Sequence, residues 1–559
     1  MTDHPVHIAL GRDSLQLTPQ KIPAKTTRKI LWLQDRIACD LVLDFVDRHR
    51  RALVLVMLIF YLAAFNGQWR IQPDAALYMS IGRNLSQGNG YTYLGAPNRL
   101  AYPGWPTLIA ATFKIFGSHS LLAVNALMTL IALATLAMVY RLFLLYAGRP
   151  TAVAITVGTG LTKAFFCYGF ELWSDMPFAF GAMAALAGYE GVFHRSVSQQ
   201  NVRRQKWIDR ALLIGGLLIA GSMRPTIWPL LAAFVLTIAF HTFSQRFKSK
   251  IVIGVLALAI LVAGSAFIVI QMRSNPHGFG GIYTEYLVNR ISGKSFDAAE
   301  HPFTLNIADL FSWAASDVLF QTRFGRPCNS VLSALVLGLG IGLFAYRALW
   351  GYWFCLLLAT ILVSQEVLDR YFLPVLPLLV FAWWNLIVQL NRRLPRAWGN
   401  LIFLGLLTFG SLANLTKVSG IIAQQRERPF LTYYDKGTHE TTPRFSALLQ
   451  DRVDANAIVL AKPLYARPVA FLSDRYVIKA IETSVDQLQG HPVYVIEPSD
   501  LATKTLLRDA GLVEGPAVFT VDASPNHGAL ATTLSLHATH ARPVVKPVAA
   551  GSPGIPVSK

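Results

Sequence analysis

Acidic residues are scarce in this chain. There are 31 Asp and Glu against 50 Lys and Arg, and between Asp47 and Glu171 the only acid is Asp74. Charged residues of either sign make up 14% of the 559 positions, where a soluble globular chain carries about 25%. That shortage excludes an ordinary soluble enzyme. Cysteine is rare as well: Cys39, Cys167, Cys328 and Cys355 show neither Cys-x-x-Cys nor Cys/His spacing, which argues against a structural zinc site or a disulfide framework. Gly-x-Gly-x-x-Gly, P-loop and Gly-x-Ser-x-Gly patterns are missing too, so none of these phosphate-cradling or nucleophile-elbow motifs organises the chemistry. No cleavable signal peptide is visible. The first 50 residues are polar and basic, and the apolar run from Ala52 to about Phe65 reads as an uncleaved signal anchor.

What the chain has in abundance is apolar sequence, 53% of it, with a mean hydropathy of +0.42. Runs of about 17–25 residues recur, each long enough to cross roughly 30 Å of hydrocarbon. The expected fold is a polytopic α-helical membrane protein of about eleven spans. They are read at 51–67, 119–147, 151–169, 176–194, 211–222, 226–243, 251–271, 328–346, 352–367, 371–390 and 400–418. The net charge is +19, and Lys and Arg gather in the N-terminal tail and in the short connections 195–210, 246–250 and 392–396. The positive-inside rule makes these cytoplasmic. A nucleic-acid partner would need a basic stripe with aromatics on a soluble face, and none is present. With the tail inside, Asp74, Glu171, Asp175, Arg224, Glu366, Asp369 and Arg370 all fall on the opposite, extracytoplasmic face.

Domain organisation follows from composition. Residues 1–50 are a basic cytoplasmic tail, and 51–420 a transmembrane domain with long outer loops at 68–118 and 272–327. Within the first loop, Leu77–Ile81 and Thr107–Phe116 are amphipathic enough to lie at the interface. From 421 to 540 charge returns. There β-prone runs (457–460, 476–478, 493–496) alternate with helix-like stretches (443–452, 500–511), predicting a small α/β domain on the outer face. The Pro/Gly-rich end, 541–559, is expected to be disordered.

Three outer clusters carry chemistry. In the first, Asp74 and Tyr78 are four apart and share a face if helical; Gly88-Asn89-Gly90-Tyr91 then marks a turn, and Asn98-Arg99-Leu100-Ala101-Tyr102-Pro103-Gly104-Trp105-Pro106 follows. The second is Glu171-Leu172-Trp173-Ser174-Asp175-Met176-Pro177. The third is Asp369-Arg370-Tyr371, running into Leu373-Pro374-Val375-Leu376-Pro377. A carboxylate where a helix meets water suits a general base, and arginine offers planar donors to phosphate. Each residue also has a plainer reading. Asp74 can be solvated or cap a helix, and Asp175 can open one. Arg224 at a hairpin tip can set orientation, Arg99 can anchor at the interface and Arg370 can snorkel. Tyr102 and Trp105 suit an aromatic belt. Asp74 and Asp175 together also suit a shared divalent cation, although carboxylate oxygens alone identify none.

In their order, these stretches resemble the GT-C superfamily of integral-membrane glycosyltransferases, of the protein O-mannosyltransferase and aminoarabinose transferase type. The resemblance spans roughly residues 50–420. It implies transfer of a sugar from a polyprenyl-phosphate donor to a protein, lipid or glycan acceptor on the outer face, with inversion at the anomeric carbon. It further implies Asp74, with Asp175, as the catalytic acids, and Arg99, Arg370 and Arg224 as donor-phosphate ligands. Tyr78, Tyr102, Trp105, Glu171 and Tyr371 would line the substrate cavity. Many relatives carry a second acid beside the first, where this chain has Ala75. The competing class is a polyprenyl-lipid flippase or transporter, which should show related halves and ionisable residues in mid-span.

Overall fold

The computed structural model describes residues 38–246 apart from 69, 71, 99–100, 119 and 195–201; then 307–311, 315–320, 326–363 and 368–427; then 441–521 apart from 480–483, 498 and 500; and finally 534–541. Arg99, Glu366, the span predicted at 251–271 and most of the 272–327 loop lie outside these residues, as do 1–37 and 542–559.

Four described helices are long and apolar enough to cross a membrane: Leu121–Ala147, Asp175–Phe193, Pro327–Ala345 and Arg396–Arg426. Shorter apolar helices run over Ile227–His241 and Ala348–Leu362. Helix–helix packing in such a bundle needs small residues where backbones approach. Helices Asp175–Phe193 and Val202–Met223 meet in this way through Gly181, Gly188 and Gly216. A Cβ added at Gly181 would fall 2.6 Å from the Ala220 amide nitrogen, and one at Gly216 would fall 2.5 Å from that of Ala185.

Several boundaries differ from the sequence reading. Helix Val202–Met223 opens inside the connection read at 195–210, and helix Arg396–Glu427 runs past the domain boundary read at 420. The first helix starts at Ala38, inside the segment expected to be a tail, and runs to Ala64 with a kink at His49. Its opening amides are met from far away in sequence: Ala38 N–H donates to Asn400 Oδ1 (2.9 Å) and Cys39 N–H to Asn391 Oδ1 (3.1 Å). Those remote partners satisfy donors that a helix start leaves open, and local composition could not disclose them. The span read at 151–169 is two helices, Arg149–Gly160 and Lys163–Tyr168, broken where Thr162 is extended. Asn414 accepts from the Lys163 amide at 3.0 Å and secures the break.

The first outer loop is ordered by turn chemistry. Helix Pro73–Ser86 begins with Pro at its first turn and an acid, Asp74, beside it, both favoured at N-termini. It is followed by Gly88 at φ +84. A hairpin follows, β1 (Thr92–Tyr93) against β2 (Ala96–Pro97). Both central residues have positive φ, Leu94 at 50 and Gly95 at 78, as a two-residue type I′ turn demands. Leucine is a poor residue for that conformation. Its side chain explains the choice, because it packs against both apolar cores of the C-terminal sheet.

That sheet comprises β3 (Ile458–Ala461), β4 (Tyr476–Lys479), β5 (Val493–Glu497), β6 (Leu512–Val521) and β7 (Leu534–Ala541), in the order β4-β3-β5-β7-β6. β3 is parallel to β4 and β5, and β7 is antiparallel to β5 and β6. Side chains alternate between its faces. Val459, Val477 and Ile496 meet helices Thr441–Arg452 and Pro463–Ser473 on one face. Ile458, Leu460, Val493 and Val495 meet Leu506 and Leu507 of helix Leu501–Asp509 on the other. Leu94→Asn should relieve the backbone, since Asn tolerates positive φ, yet lower stability by about 1 kcal/mol through lost burial. Faster proteolysis of the first loop would register the change; unchanged resistance would show that the leucine is not the tie.

Candidate active site

Two acids, each in the first turn of a helix, and three arginines from other segments meet at one place. Asp74 opens helix Pro73–Ser86, and Asp175 opens Asp175–Phe193 behind Ser174. Tyr78, one turn after Asp74, lies 3.3 Å from the Ser174 hydroxyl and ties these two helix starts together. Arg224 lies between helices Val202–Met223 and Ile227–Arg246, ahead of Pro225, and forms a buried ion pair with Asp175. Arg370 lies on the 3-10 turn Asp369–Phe372, which Pro374 follows before helix Leu376–Arg393 opens with Pro377 in its first turn.

Arg370 is the centre of the arrangement. Its guanidinium stacks 3.7 Å from the Trp173 ring centroid and 5.2 Å from that of Tyr371. Nη1 is 3.7 Å from Asp74 Oδ2, an ion pair without hydrogen-bond contact. Arg224 lies 5.7 Å from the centroid of the same Tyr371 ring. Burial alone would lower the pKa of Arg370, but Tyr371, Asp175 and Asp74 around it outweigh that and raise it. The charge on Arg370 is therefore permanent. The side chain is 12% exposed, and its Nε is buried with no hydrogen-bond partner among the described residues. Leaving such a donor unmet costs about 1–3 kcal/mol, so this arginine holds an unspent donor within the cluster. Asp74 differs from it in being 42% exposed, open to an incoming hydroxyl.

The residues read from the sequence are thus partly united. Asp74, Asp175, Arg224, Arg370, Tyr78 and Tyr371 form one cluster. Trp105 does not line it: the side chain is 0% exposed, and its N–H donates to the Leu172 carbonyl at 3.0 Å, holding the 171–174 turn in place. Tyr102 is half-buried just ahead of helix Gly104–Phe116, which carries Trp105. Glu171 faces a different set of partners. It is 1% exposed and accepts from Gln72 Nε2 (2.9 Å), with the Cys167 thiol 3.4 Å away. Burial raises the pKa of Glu171, against the opposing pull of Arg70 and the Gln72 bond.

A pH dependence follows from that shift. The folded chain keeps a proton on Glu171 to higher pH than the unfolded chain does. Its contribution to stability is therefore greatest below the ordinary carboxylate value of 4.5 and declines as pH rises through the folded value. Glu171→Gln should flatten that decline in detergent melting curves between acid and neutral pH. A variant with the same slope as the parent would show that Glu171 is not its source.

Sequence reasoning missed Arg467. It comes from helix Pro463–Ser473 of the C-terminal sheet, and its Nη1 donates to Asp74 Oδ1 at 3.1 Å across 393 residues of sequence. The local signal was faint: a single charge in an otherwise apolar helix, Pro463-Leu-Tyr-Ala-Arg467-Pro-Val-Ala-Phe471. Among the described residues, no three His, Cys, Asp or Glu side chains are grouped to hold a metal ion.

Comparison with solved structures places this architecture. The chain is similar to the crystal structure of ArnT from Cupriavidus metallidurans in the apo state, with a TM-score of 0.52 and 13% identity over 88% of this chain and 98% of that one. The structure of ArnT from the same organism bound to undecaprenyl phosphate gives 0.47 and 11% identity, over 87% and 97%. The archaeal oligosaccharyltransferase AglB from Archaeoglobus fulgidus, in complex with an inhibitory peptide and a dolichol-phosphate, gives 0.43 and 13%, over 82% and 71%. No family profile and no curated protein matches the chain. The likeness to apo ArnT shows that the chain shares the fold of that structure.

Proposed function

We propose that this protein is a glycosyltransferase that moves a sugar from a polyprenyl-phosphate donor to an acceptor hydroxyl at the extracytoplasmic face, inverting the anomeric centre. The observation that carries the reading is the half-exposed Asp74 carboxylate beside the buried Arg370 with its unspent Nε, on a fold shared with ArnT. In one displacement the acceptor oxygen bonds to the anomeric carbon as the bond from that carbon to the phosphate oxygen breaks. The acceptor proton passes to Asp74, a transfer worth about 10²–10⁴ in rate. The bonding pair leaves with the phosphate, where Arg370 and Arg224 stabilise the charge that develops. Asp175 holds Arg224 in place through their buried pair. Attack from the face opposite the leaving group accounts for inversion. The donor class, and the outward orientation of the site, rest on the motif resemblance and on the distribution of basic connections.

The competing reading, a polyprenyl-lipid flippase, separates in one assay. Purified protein in liposomes is given a panel of undecaprenyl-phosphate pentoses and hexoses with small glycan and lipid acceptors. Transfer predicts release of undecaprenyl phosphate with formation of a glycoside of opposite anomeric configuration. Movement of intact donor between leaflets, without release from any member of the panel, would favour the flippase and end the transferase reading.

A further inference from the structure

Helix Pro463–Ser473 connects β3 to β4 and serves two surfaces. Ala466, Val469 and Ala470 pack into the sheet's own core. Arg467, Phe471 and Asp474, spaced four and three apart, lie on a common side and meet the membrane domain instead. Phe471 is part of the main core. Arg83, on the Pro73–Ser86 helix, clasps this side. It donates to the Phe471 carbonyl (3.2 Å), lies 4.9 Å over its ring and pairs with Asp474 at 3.0 Å. That clasp joins the helix bearing Arg467 to the helix bearing Asp74 and sets the guanidinium on the carboxylate.

Anchoring alone would not require an arginine at position 467, since the Arg83 clasp already joins the helices. Two facts point further. Among the described residues, Arg224, Arg370 and Arg467 pair with Asp74 and Asp175, so in these ion pairs three positive charges meet two negative ones. The surplus charge equals the single negative charge of a phosphodiester. In addition, Asp74 Oδ1 accepts from Arg467 at 3.1 Å, so Arg467 and an acceptor hydroxyl compete for the same carboxylate.

One event resolves both. We propose that Arg467 is a donor-phosphate ligand supplied by the C-terminal sheet: when the donor binds, its guanidinium passes from Asp74 to the phosphate, and Asp74 becomes free to act as base. The inference rests on the glycosyltransferase reading, and it makes the C-terminal sheet part of the site.

The test is binding of undecaprenyl phosphate, with undecaprenol as the uncharged control, to the purified full-length chain in detergent. Tryptophan fluorescence is the readout, since Trp173 stacks on Arg370. The parent should prefer the phosphate, and Arg467→Gln should weaken it about tenfold or more, as loss of a charge-assisted bond requires. Asp74→Asn should tighten binding severalfold in the parent, because a competitor for Arg467 is removed. It should have no such effect in the Arg467→Gln background. Arg467→Lys, which keeps the charge, should fall between the two and retain a dependence on Asp74; it decides the matter if Arg467→Gln does not fold. Equal affinity in Arg467→Gln and the parent, with Arg370→Gln weakened, would overturn this inference and leave the transferase reading standing. A parent that binds undecaprenol as well as its phosphate would overturn both.

Discussion

Asp74→Asn should lower sugar transfer by about 10²–10⁴-fold, the range a positioned general base contributes, while the chain folds and still binds donor. The substitution is nearly isosteric. It removes the ion pairs with Arg370 at 3.7 Å and Arg467 at 3.1 Å but leaves an amide oxygen that can still accept from Arg467. Asp74 is 42% exposed, and an exposed pair is worth at most about 1 kcal/mol, so the melting temperature should move little. The loss belongs in kcat, because the carboxylate acts on the acceptor proton in the transition state. Transfer within threefold of the parent would remove Asp74 from the mechanism.

Arg370→Lys should be nearly as damaging although it preserves charge. Lysine lacks the planar face that stacks 3.7 Å from Trp173, and it is a point charge without the forked donors that phosphate oxygens match. The expected loss in kcat/KM is about 100-fold, equivalent to roughly 2.7 kcal/mol. It should fall on both donor KM and kcat, since the leaving phosphate gains charge as the bond breaks. Circular dichroism and melting should stay near the parent's, because a cation still faces Asp74 and Asp175. A lysine variant with parental kinetics would reduce Arg370 to a structural cation and transfer the phosphate role to Arg224 and Arg467.

Much of the site's raw material was legible in local sequence. The i, i+4 spacing of Asp74 and Tyr78, the acid ahead of Met176-Pro177 and the proline-edged Asp369-Arg370-Tyr371 each report a helix start or a turn, and such features depend on a few neighbouring residues. Trp105 shows the limit of that reasoning. An aromatic residue among prolines suits a sugar-stacking loop as well as a buried brace, and only the position of the Leu172 carbonyl decides for the brace. Glu171 shows it again: four residues from Asp175 in sequence, it turns to Gln72 and Cys167 because the segment between them is a turn rather than a continuous helix.

By itself the sequence determined that this chain lives in a membrane, since a chain with so few charges and such long apolar runs has no other stable solvent. For its isolated acid the sequence left two local readings, solvated or at a helix N-terminus, and the structure puts it in the first turn of helix Pro73–Ser86. Only the tertiary structure decided the company that acid keeps. Arg370 and Arg467 lie hundreds of residues downstream, on a 3-10 turn and on the crossover helix of a separate sheet, and nothing local to either names Asp74 as its partner. Pairing of that kind depends on how whole elements pack, through the Arg83 clasp and the Leu94 plug, and packing is a property of the assembled chain.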